Sequence, residues 1–568
     1  MTSTDELDHP ETKSLVRRID APLSRRPEIA AVTSAVLLWT SFPPIGWSWL
    51  AWLALVPLFR LATLERPPLR LYLSAWMGGL TFWLLALEWI RIIDPAAWPG
   101  WILMALFFST WPPLFLLFAR TAVLRLRVPL MMVAPMIWVG LEYARAHILS
   151  GFPWYYLAHS QYQITPMIQI ADLTGALGVS LLIAIVNAFV VDLLSLPLFR
   201  KSRTNGIRFC PRQYARVCVV TILVGSTLCY GGYRLSTARF SSGPRMALLQ
   251  SNIEQRRKMK GDPGQIVTLI EALVARAVAH QRPDLIVWPE TSYPFSYIKI
   301  EPELSFETVA RQLAPVAPNY PPADWVANAP LIDAELHAWT DRAQVPMLIG
   351  SLFYHHKRDG LSRFNAAILF EPKQAPFQVY HKMHLVPFGE YVPFVEALPW
   401  LTFLTPYRGE RPPSLSFGAQ ANTLTLGPYR LAVTICFEDT VPQVVNQFFT
   451  GDPEPDVLVN LSNDGWFHGT AELDMHLAIG VFRAIEHRIP LARAVNTGLT
   501  ALVDGNGEIR DALPKETSGV LNVVVPLDPR TSLYSRLGDW LGLCSLAVVL
   551  GLLPLRGLYR LKAAKPPI

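Results

Sequence analysis

Long apolar runs separated by short loops fill residues 28–235, and one more apolar run lies at 538–557. An apolar helix of about 20 residues crosses a bilayer, so the pattern predicts a polytopic α-helical membrane region of about eight spans. The first run resembles a signal-peptide core, but no small-x-small cleavage site follows it, so we expect a retained helix. The predicted spans are roughly 28–43, 46–64, 70–91, 97–119, 129–148, 171–199, 217–235 and 538–557.

Between residues 244 and 527 the pattern changes to short β-branched runs separated by turns and helical stretches. Apolar strands that alternate with helices are typical of a layered α/β domain. Residues 314–330, rich in Pro and Ala, are interpreted as a surface insertion or flexible loop. Helices are predicted at 264–281, 332–343 and 472–487. Strands are predicted at 246–250, 285–288, 346–350, 366–370, 431–436, 457–461, 491–495, 500–503 and 520–525.

The Lys and Arg residues of the short loops predict how the chain is oriented. The amino-terminal tail, the loops after spans two, four and six, and the carboxyl-terminal tail are basic, whereas the other loops contain few Lys and Arg. Basic loops remain in the cytoplasm. This pattern predicts a cytoplasmic tail over 1–27, seven helices over 28–235, an exported domain over 244–527, a returning helix over 538–557 and a cytoplasmic tail over 558–568.

Composition supports this division and narrows the possible chemistry. The chain is 51% hydrophobic and 17% charged, whereas soluble domains carry roughly 25% charged residues. The net charge of +6 comes from the basic loops, so we do not expect nucleic-acid binding. Cys436 is the only cysteine between residues 244 and 527, which excludes a disulfide within that domain. No Cys/His spacing indicates zinc, and the pairs His355/His356 and His381/His384 lack suitably spaced carboxylates, so no metal is expected.

Three predicted strand ends in this domain carry reactive side chains. Glu290 follows an apolar strand and Trp288-Pro289, Lys382 precedes Glu390 by eight residues, and Cys436 ends another apolar run. Each signal is weak alone, since a strand-end cysteine is usually a small buried hydrophobe. Together they supply a thiol, a base that could ionise it and a cation that could stabilise an oxyanion. The combination indicates nucleophilic catalysis at the carboxyl edge of a sheet.

Two features of the membrane region leave alternatives open. The loop Gly151-Phe-Pro-Trp154-Tyr-Tyr156 is aromatic, which fits either an interfacial belt or a substrate site. Glu142 and Arg145, three residues apart near the end of span five, are ionisable groups at membrane depth. Such groups indicate either function or a structural ion pair.

Glu, Lys and Cys in this order match the nitrilase superfamily, and the chain resembles one membrane branch of it, the apolipoprotein N-acyltransferases. It departs from the family pattern at Ser251, where Gly is usual, at Met259, where Trp is usual, and at Phe437, where Tyr is frequent. The resemblance covers nearly the whole chain. It rests on Pro135, Trp138, Glu142 and Arg145, Gly151-Phe-Pro-Trp154, Trp288-Pro-Glu290, the segment 382–393, Cys436-Phe-Glu438, the segments 462–467 and 483–498, and Tyr534, Gly538 and Trp540.

The resemblance implies an αββα sandwich with Glu290 as general base, Lys382 as oxyanion-stabilising cation and Cys436 as nucleophile. It further implies supporting roles for Glu390, Glu438 and the backbone N–H of Phe437. Contacts with substrate or lipid are expected at Phe152, Trp154, Met259, Asn365 and Trp466.

The same resemblance implies a reaction and a location. A membrane phospholipid would donate an acyl group to Cys436, and the thioester would then acylate the α-amino group of the diacylglyceryl-cysteine of an apolipoprotein. No cofactor is expected, and a monomer in a bacterial inner membrane with its catalytic domain in the periplasm is expected. Two rival readings are a membrane-tethered amidase or nitrilase acting on a small carbon–nitrogen substrate and a non-enzymatic scaffold or transporter. The membrane spans argue against the first, and the intact Glu–Lys–Cys set argues against the second.

Overall fold

The computed structural model divides the chain into two compact units, each with its own core. The helical unit comprises residues 1–88, 99–236 and 539–568, and the sheet unit comprises residues 89–98 and 237–538. The structure describes residues 25–64, 68–94, 97–195, 199–202, 206–279, 281–374, 376–405 and 414–563.

The helical unit is built from apolar helices joined by short turns. Its principal helices are Pro27–Thr40, Ala51–Ala54, Val56–Leu61, Pro68–Ala86, Trp98–Phe108, Trp111–Arg120, Leu130–Arg145, Ala176–Ser195, Pro211–Ser236 and Trp540–Ala563. Shorter helical turns are Ser48–Leu50, Thr121–Arg125, Leu157–Gln161, Thr165–Ile168 and Ala171–Thr174, and a hairpin joins β1 (Phe199–Ser202) to β2 (Gly206–Phe209).

Three helical stretches within the described residues are long and apolar enough to cross a membrane: Trp98–Arg125, Ala176–Ser195 and Pro211–Ser236. They coincide with predicted spans four, six and seven, and they identify a membrane protein. Predicted spans one, two and eight coincide with the shorter apolar helices Pro27–Thr40, Ser48–Leu61 and Trp540–Pro554. The total of eight spans therefore stays a prediction.

The sheet unit contains two stacked sheets. In the first, the strand order is β15-β3-β4-β6-β7-β8 with β5 beside β6, and in the second it is β14-β13-β12-β11-β10-β9. The strands are β3 (Ser241–Gln250), β4 (Leu285–Val287), β5 (Tyr297–Ile300), β6 (Met347–Lys357), β7 (Gly360–Phe370), β8 (Gln378–His381), β9 (Leu424–Leu426), β10 (Tyr429–Ile435), β11 (Val457–Ser462), β12 (Leu491–Val495), β13 (Ala501–Val503), β14 (Ile509–Ala512) and β15 (Gly519–Leu527).

Helices cover both outer faces of the stacked sheets. Pro263–Val278 packs on β3 and β15, Pro322–Ala343 packs on β5 and β7, and Ala471–His487 packs on β12, while β3 contacts β12 and β7 contacts β10 across the middle. The architecture is therefore the predicted αββα sandwich. The remaining helical segments are Ile90–Ile93, Gln255–Lys260, Phe306–Leu313, Pro399–Leu404, Cys436–Thr440, Pro442–Val445, Asn446–Phe449, Asp464–Trp466 and Leu533–Leu537.

All nine predicted strands and all three predicted helices are present, with ends that differ by a few residues or more. The clearest of the predicted strands are continuous apolar runs, which are typical of strands buried on both faces of a sheet. The pattern missed β5, β8, β9 and β14. Those strands are three or four residues long and each contains a polar residue, so no continuous apolar run separates them from loops.

The interpretation of 314–330 as a surface insertion or flexible loop is wrong for its second half. Residues from Pro322 belong to the helix Pro322–Ala343, in which Trp325, Ala329 and Leu336 are buried. These positions recur at helical spacing and so form one apolar face. The prolines misled the interpretation, because proline is well tolerated in the first turn of a helix.

Candidate active site

Cys436 lies at a sharp turn between β10 and the short helix Cys436–Thr440. Its φ of +54° is in the left-handed region, which costs a residue with a Cβ roughly 1–2 kcal/mol. The Asn460 Nδ2 group, on the neighbouring strand β11, donates a hydrogen bond of 3.1 Å to the Cys436 carbonyl. The turn presents a half-buried thiol at the carboxyl end of an inner strand.

Four side chains form a hydrogen-bonded cluster in the same unit. Asn365 Nδ2, on β7, donates to Glu290 Oε1 at 2.7 Å and to Glu390 Oε1 at 2.9 Å. Lys382 Nζ lies 2.9 Å from Glu390 Oε1 and 3.6 Å from Glu290 Oε1. The Lys382 side chain is only 1% exposed, so its ammonium is held between two carboxylates in a protected environment.

The charges of this cluster act on the Cys436 thiol. Burial raises the pKa of Cys436 well above its usual value, the Glu290 carboxylate raises it further, and the Lys382 ammonium lowers it. Burial alone would lower the pKa of Lys382, but the carboxylates of Glu390 and Glu290 bring it above its usual value. The resting site therefore holds a protonated thiol beside a permanent cation, and ionisation of the thiol requires a base.

Glu438 links the Cys436 turn to the segment that carries Lys382. Its carboxylate accepts hydrogen bonds from the backbone N–H groups of Ile435, Met383 and His384 and from the Tyr380 hydroxyl, all at 2.7–3.0 Å. Burial raises the pKa of Glu438 to about 7, although the Lys382 charge and these hydrogen bonds oppose the rise. Glu438 is thus a bridge between the two loops of the site.

A second buried network lies behind the Cys436 turn. Arg493 pairs with Asp439 at 3.1 Å and with Asp464 at 3.0 Å, and His476 Nε2 lies 2.8 Å from Asp439. Burial and Arg493 lower the pKa of His476, but Asp439 and Asp464 together raise it to about 10. Two cations therefore face two carboxylates beneath the turn.

The oxygens and nitrogens of Asp464, Glu472 and His476 lie within 4.8 Å of one another, a spacing that a metal ion could use. Burial raises the pKa of Glu472 well above its usual value, and Asp464 raises it further, which favours the protonated acid. Because Arg493 and His476 already pair with the carboxylates of Asp439 and Asp464, the network is best described as an ion-pair cluster.

In the helical unit, Arg145 and Glu142 both bind the aromatic loop. The Arg145 guanidinium donates to the backbone carbonyls of Phe152 and Trp154 and stacks on the Trp83 ring. Glu142 Oε1 accepts from the Leu157 N–H at 3.0 Å. These contacts favour the structural alternative, since both ionisable groups hold the shape of the loop.

The other predicted contact residues occupy different environments. Asn365 joins two carboxylates of the site, whereas Phe152 and Trp154 are stacked and buried inside the helical unit. Trp466 is half-buried after β11, and the Met259 side chain lies outside the described part of the structure. Lipid contact at these positions stays a prediction.

Sequence patterns missed Lys258, Asn460, His476 and Arg493. Lys258 lies in the basic run Arg256-Arg257-Lys258, which is typical of a solvated helix face. His476 and Arg493 lie within a helix and a strand, so no strand end marked them. Arg493 lies among apolar residues on a predicted inner strand, where an unpaired charge is costly. Its position could therefore have indicated a buried ion pair.

The αββα fold with a cysteine at the end of an inner strand defines a carbon-nitrogen hydrolase domain, and residues 245–533 match the carbon-nitrogen hydrolase family. Residues 34–189 match the apolipoprotein N-acyltransferase N-terminal domain. The apolipoprotein N-acyltransferase of Geobacter metallireducens is 33% identical over 557 residues, which cover 94% of this chain and 98% of that protein. The chain belongs to the apolipoprotein N-acyltransferase family and is an acyltransferase enzyme.

Two further similarities were found. An apolipoprotein N-acyltransferase of Rhodopirellula baltica is 29% identical, with 92% of this chain and 96% of that protein covered. A solved carbon-nitrogen hydrolase of Helicobacter pylori is 16% identical with a TM-score of 0.34, covering 50% of this chain and 88% of that chain.

Proposed function

We propose that this enzyme moves an acyl chain from a membrane phospholipid to the α-amino group of a diacylglyceryl-cysteine at the amino terminus of apolipoproteins. The observation that carries the proposal is the cluster of Glu290, Asn365, Lys382 and Glu390, whose charges act on Cys436, in a chain of this family. We place the site on the periplasmic side of a bacterial inner membrane, because the basic loops predict that the sheet unit is exported.

In the first step, the Glu290 carboxylate takes the proton of the Cys436 thiol, and the sulfur attacks the ester carbonyl carbon of the phospholipid. Lys382 stabilises the negative oxygen of the tetrahedral intermediate, as a fixed cation in a buried site does. The ester C–O bond breaks, the departing oxygen takes the proton from Glu290, and a lysophospholipid leaves. The acyl group remains on Cys436 as a thioester. The share of the Phe437 backbone N–H in this stabilisation stays a prediction.

In the second step, the α-amino nitrogen of the lipid-modified cysteine attacks the thioester carbonyl. Glu290 accepts a proton from the amine, the C–S bond breaks, and the sulfur recovers the proton as a thiol. The product is an N-acylated lipoprotein, and no cofactor takes part in either step. A site that excludes water favours the amine over hydrolysis of the thioester.

The alternative is a membrane-tethered amidase or nitrilase that hydrolyses a small carbon–nitrogen substrate. Glu290, Lys382 and Cys436 could also catalyse that reaction. A hydrolase of small soluble molecules, however, has no evident need for the long apolar helices described above. Consumption of soluble amides without consumption of phospholipid would favour this alternative.

The decisive experiment is intact-mass spectrometry of the full chain after incubation with phospholipid in detergent. We expect an acyl adduct on Cys436 that disappears when a diacylated lipopeptide with a free α-amine is added. The Cys436→Ala variant should carry no adduct, and Cys544→Ala, which removes an exposed cysteine, should behave as wild type. A wild-type protein that never carries an acyl group would refute the proposed intermediate.

A further inference from the structure

Lys258 reaches the turn that carries Glu290 from a different element. It belongs to the short helix Gln255–Lys260, and its Nζ donates to the Glu290 backbone carbonyl and to Thr291 Oγ1, both at 2.9 Å. These contacts leave the Glu290 carboxylate free to bind Asn365 and Lys382. Lys258 therefore touches the main chain of the proposed base without competing for its reactive oxygens.

The turn itself is held in an unusual conformation. Thr291 has a φ of +45°, which is strained for a β-branched residue. Gly350 on β6 packs so closely against the turn that a Cβ there would lie 2.3 Å from the Pro289 carbonyl oxygen, and Ser292 Oγ donates to that same oxygen at 2.7 Å. A strained turn persists only where several contacts fix it, and Lys258 supplies two of them.

Lys258 also completes the charge balance of the site. The carboxylates of Glu290 and Glu390 face the single ammonium of Lys382, and a second cation would bring the cluster to neutrality. Burial lowers the pKa of Lys258 to about 8, although Glu290 and Cys436 raise it. At neutral pH most of the Lys258 side chains are therefore charged.

We propose that Lys258 is a positioning residue of the acylation site, which fixes the Glu290 turn and supplies the second positive charge that favours the Cys436 thiolate. The inference rests on the proposed roles of Glu290 and Cys436. The groups whose charges act on the thiol are Glu290, Lys382, Asp464 and Glu390, and the thiol in turn acts on Lys258. Removal of the Lys258 charge therefore disfavours the Cys436 thiolate, which is a second negative charge beside Glu290.

Alkylation of Cys436 by iodoacetamide tests this proposal without any acyl donor. The second-order rate constant is measured on the full-length protein in detergent at about pH 7, where Lys258 is charged, with Cys436 followed by peptide mass spectrometry, because only the thiolate reacts. We expect Lys258→Met to lower this rate constant about tenfold, since the loss of a nearby positive charge raises the pKa of a thiol by about one unit or more. The exposed neighbour Arg257 provides the matched control, and Arg257→Met should leave the rate constant unchanged.

Two further variants separate charge from fold. Lys258→Arg keeps the charge and should keep the wild-type rate constant, whereas Lys258→Gln keeps a hydrogen-bond donor, loses the charge and should lower the rate constant as Met does. Lys258→Gln also replaces Lys258→Met as the test if the latter does not elute as a monodisperse protein. An unchanged rate constant in Lys258→Gln would overturn the inference. Failure of the wild type to take an acyl group from phospholipid would refute the proposed function instead, which the alkylation does not require.

Discussion

Lys382 lies between two carboxylates and is nearly inaccessible to solvent. At the scale of single residues this arrangement serves two purposes, because the ammonium pairs with Glu290 and Glu390 and its charge also acts on the Cys436 thiol. Burial lowers the pKa of Lys382, but the carboxylates of Glu390 and Glu290 raise it above its usual value. The oxyanion partner of the proposed reaction is therefore permanently charged.

We expect Lys382→Met to lower the rate of acyl-adduct formation on Cys436 by about 10²–10³, the usual effect of losing one oxyanion donor. Because Glu290 and Glu390 lose their cation in this variant, circular dichroism is used to establish that it is folded before its rate is compared. Adduct formation measured by mass spectrometry against time provides the rate. Lys299→Met, at an exposed position on β5, is the control, and a Lys382→Met enzyme as fast as that control would remove Lys382 from its proposed role.

Single residues also show which parts of the candidate site could be predicted from the sequence. Glu290 and Cys436 each follow an apolar run, and Lys382 precedes Glu390 by eight residues in a segment punctuated by Pro and Gly, so the chemistry could be inferred from position along the chain. Lys258 could not, because a basic helical turn looks the same whether it faces water or a buried carbonyl. Its partners, Glu290 and Thr291, are 32 and 33 residues distant, and only the packing of the helix against the β4 turn brings them together.

At the scale of elements, the ion-pair cluster of His476, Arg493, Asp439 and Asp464 joins a helix, strand β12 and two short helical turns. Asp439 lies three residues after Cys436, and Asp464 follows β11. The cluster therefore fixes the turn that carries Cys436 and the turn that follows the neighbouring strand β11. Loss of one member of such a buried set leaves an uncompensated charge, which is strongly destabilising.

The His476 contribution to stability should depend on pH. Because its pKa is raised from 6.5 to about 10 in the fold, the contribution is fully present below about pH 6.5 and is lost as the pH rises through about 10. We expect His476→Gln to melt at a lower temperature than wild type at pH 6.5, with a difference that narrows toward pH 10. Thermal unfolding in detergent provides the measurement.

His468→Gln, at an exposed position, is the matched control for this experiment. Its difference from wild type should not vary with pH. A His476→Gln difference that stays constant over the same pH range would contradict an imidazolium at position 476.

Elements were predictable where a buried face repeated regularly and unpredictable where local signals conflicted. The apolar inner strands β10, β11 and β12 follow directly from their continuous hydrophobic runs. The helix Pro322–Ala343 was obscured by its proline-rich beginning, although Trp325, Ala329 and Leu336 share one face. The packing of that face against the sheet outweighs the local preference of prolines for loops.

At the scale of the whole molecule, the distribution of Lys and Arg predicts that the chain crosses the membrane between the basic loop near residue 205 and the sheet unit. The helix Pro211–Ser236 between them is long and apolar enough to make this crossing. Alkaline phosphatase fused after Gly243 should therefore be active in bacterial cells, because that enzyme needs disulfides that form only outside the cytoplasm.

The matched fusion within the basic loop after span six should be inactive, with equal amounts of both fusions confirmed by immunoblot. Activity of both fusions, or only of the second, would contradict the orientation and with it the proposed periplasmic site.

The number of other crossings is harder to infer from hydrophobicity. A new helix begins at Val56 inside predicted span two, with Pro57 in its first turn, since proline lacks the N–H that would continue the preceding helix.

The left-handed backbone at Cys436 has a consequence for how this position can change over time. Glycine adopts that conformation without strain, so selection for stability alone would favour glycine there. In a lineage that no longer needed the acyl-accepting thiol, a single Cys436→Gly substitution would remove the thiol and stabilise the fold. The cysteine is retained only while its chemistry is under selection. The residue at position 436 therefore indicates whether a member of this family is still an enzyme.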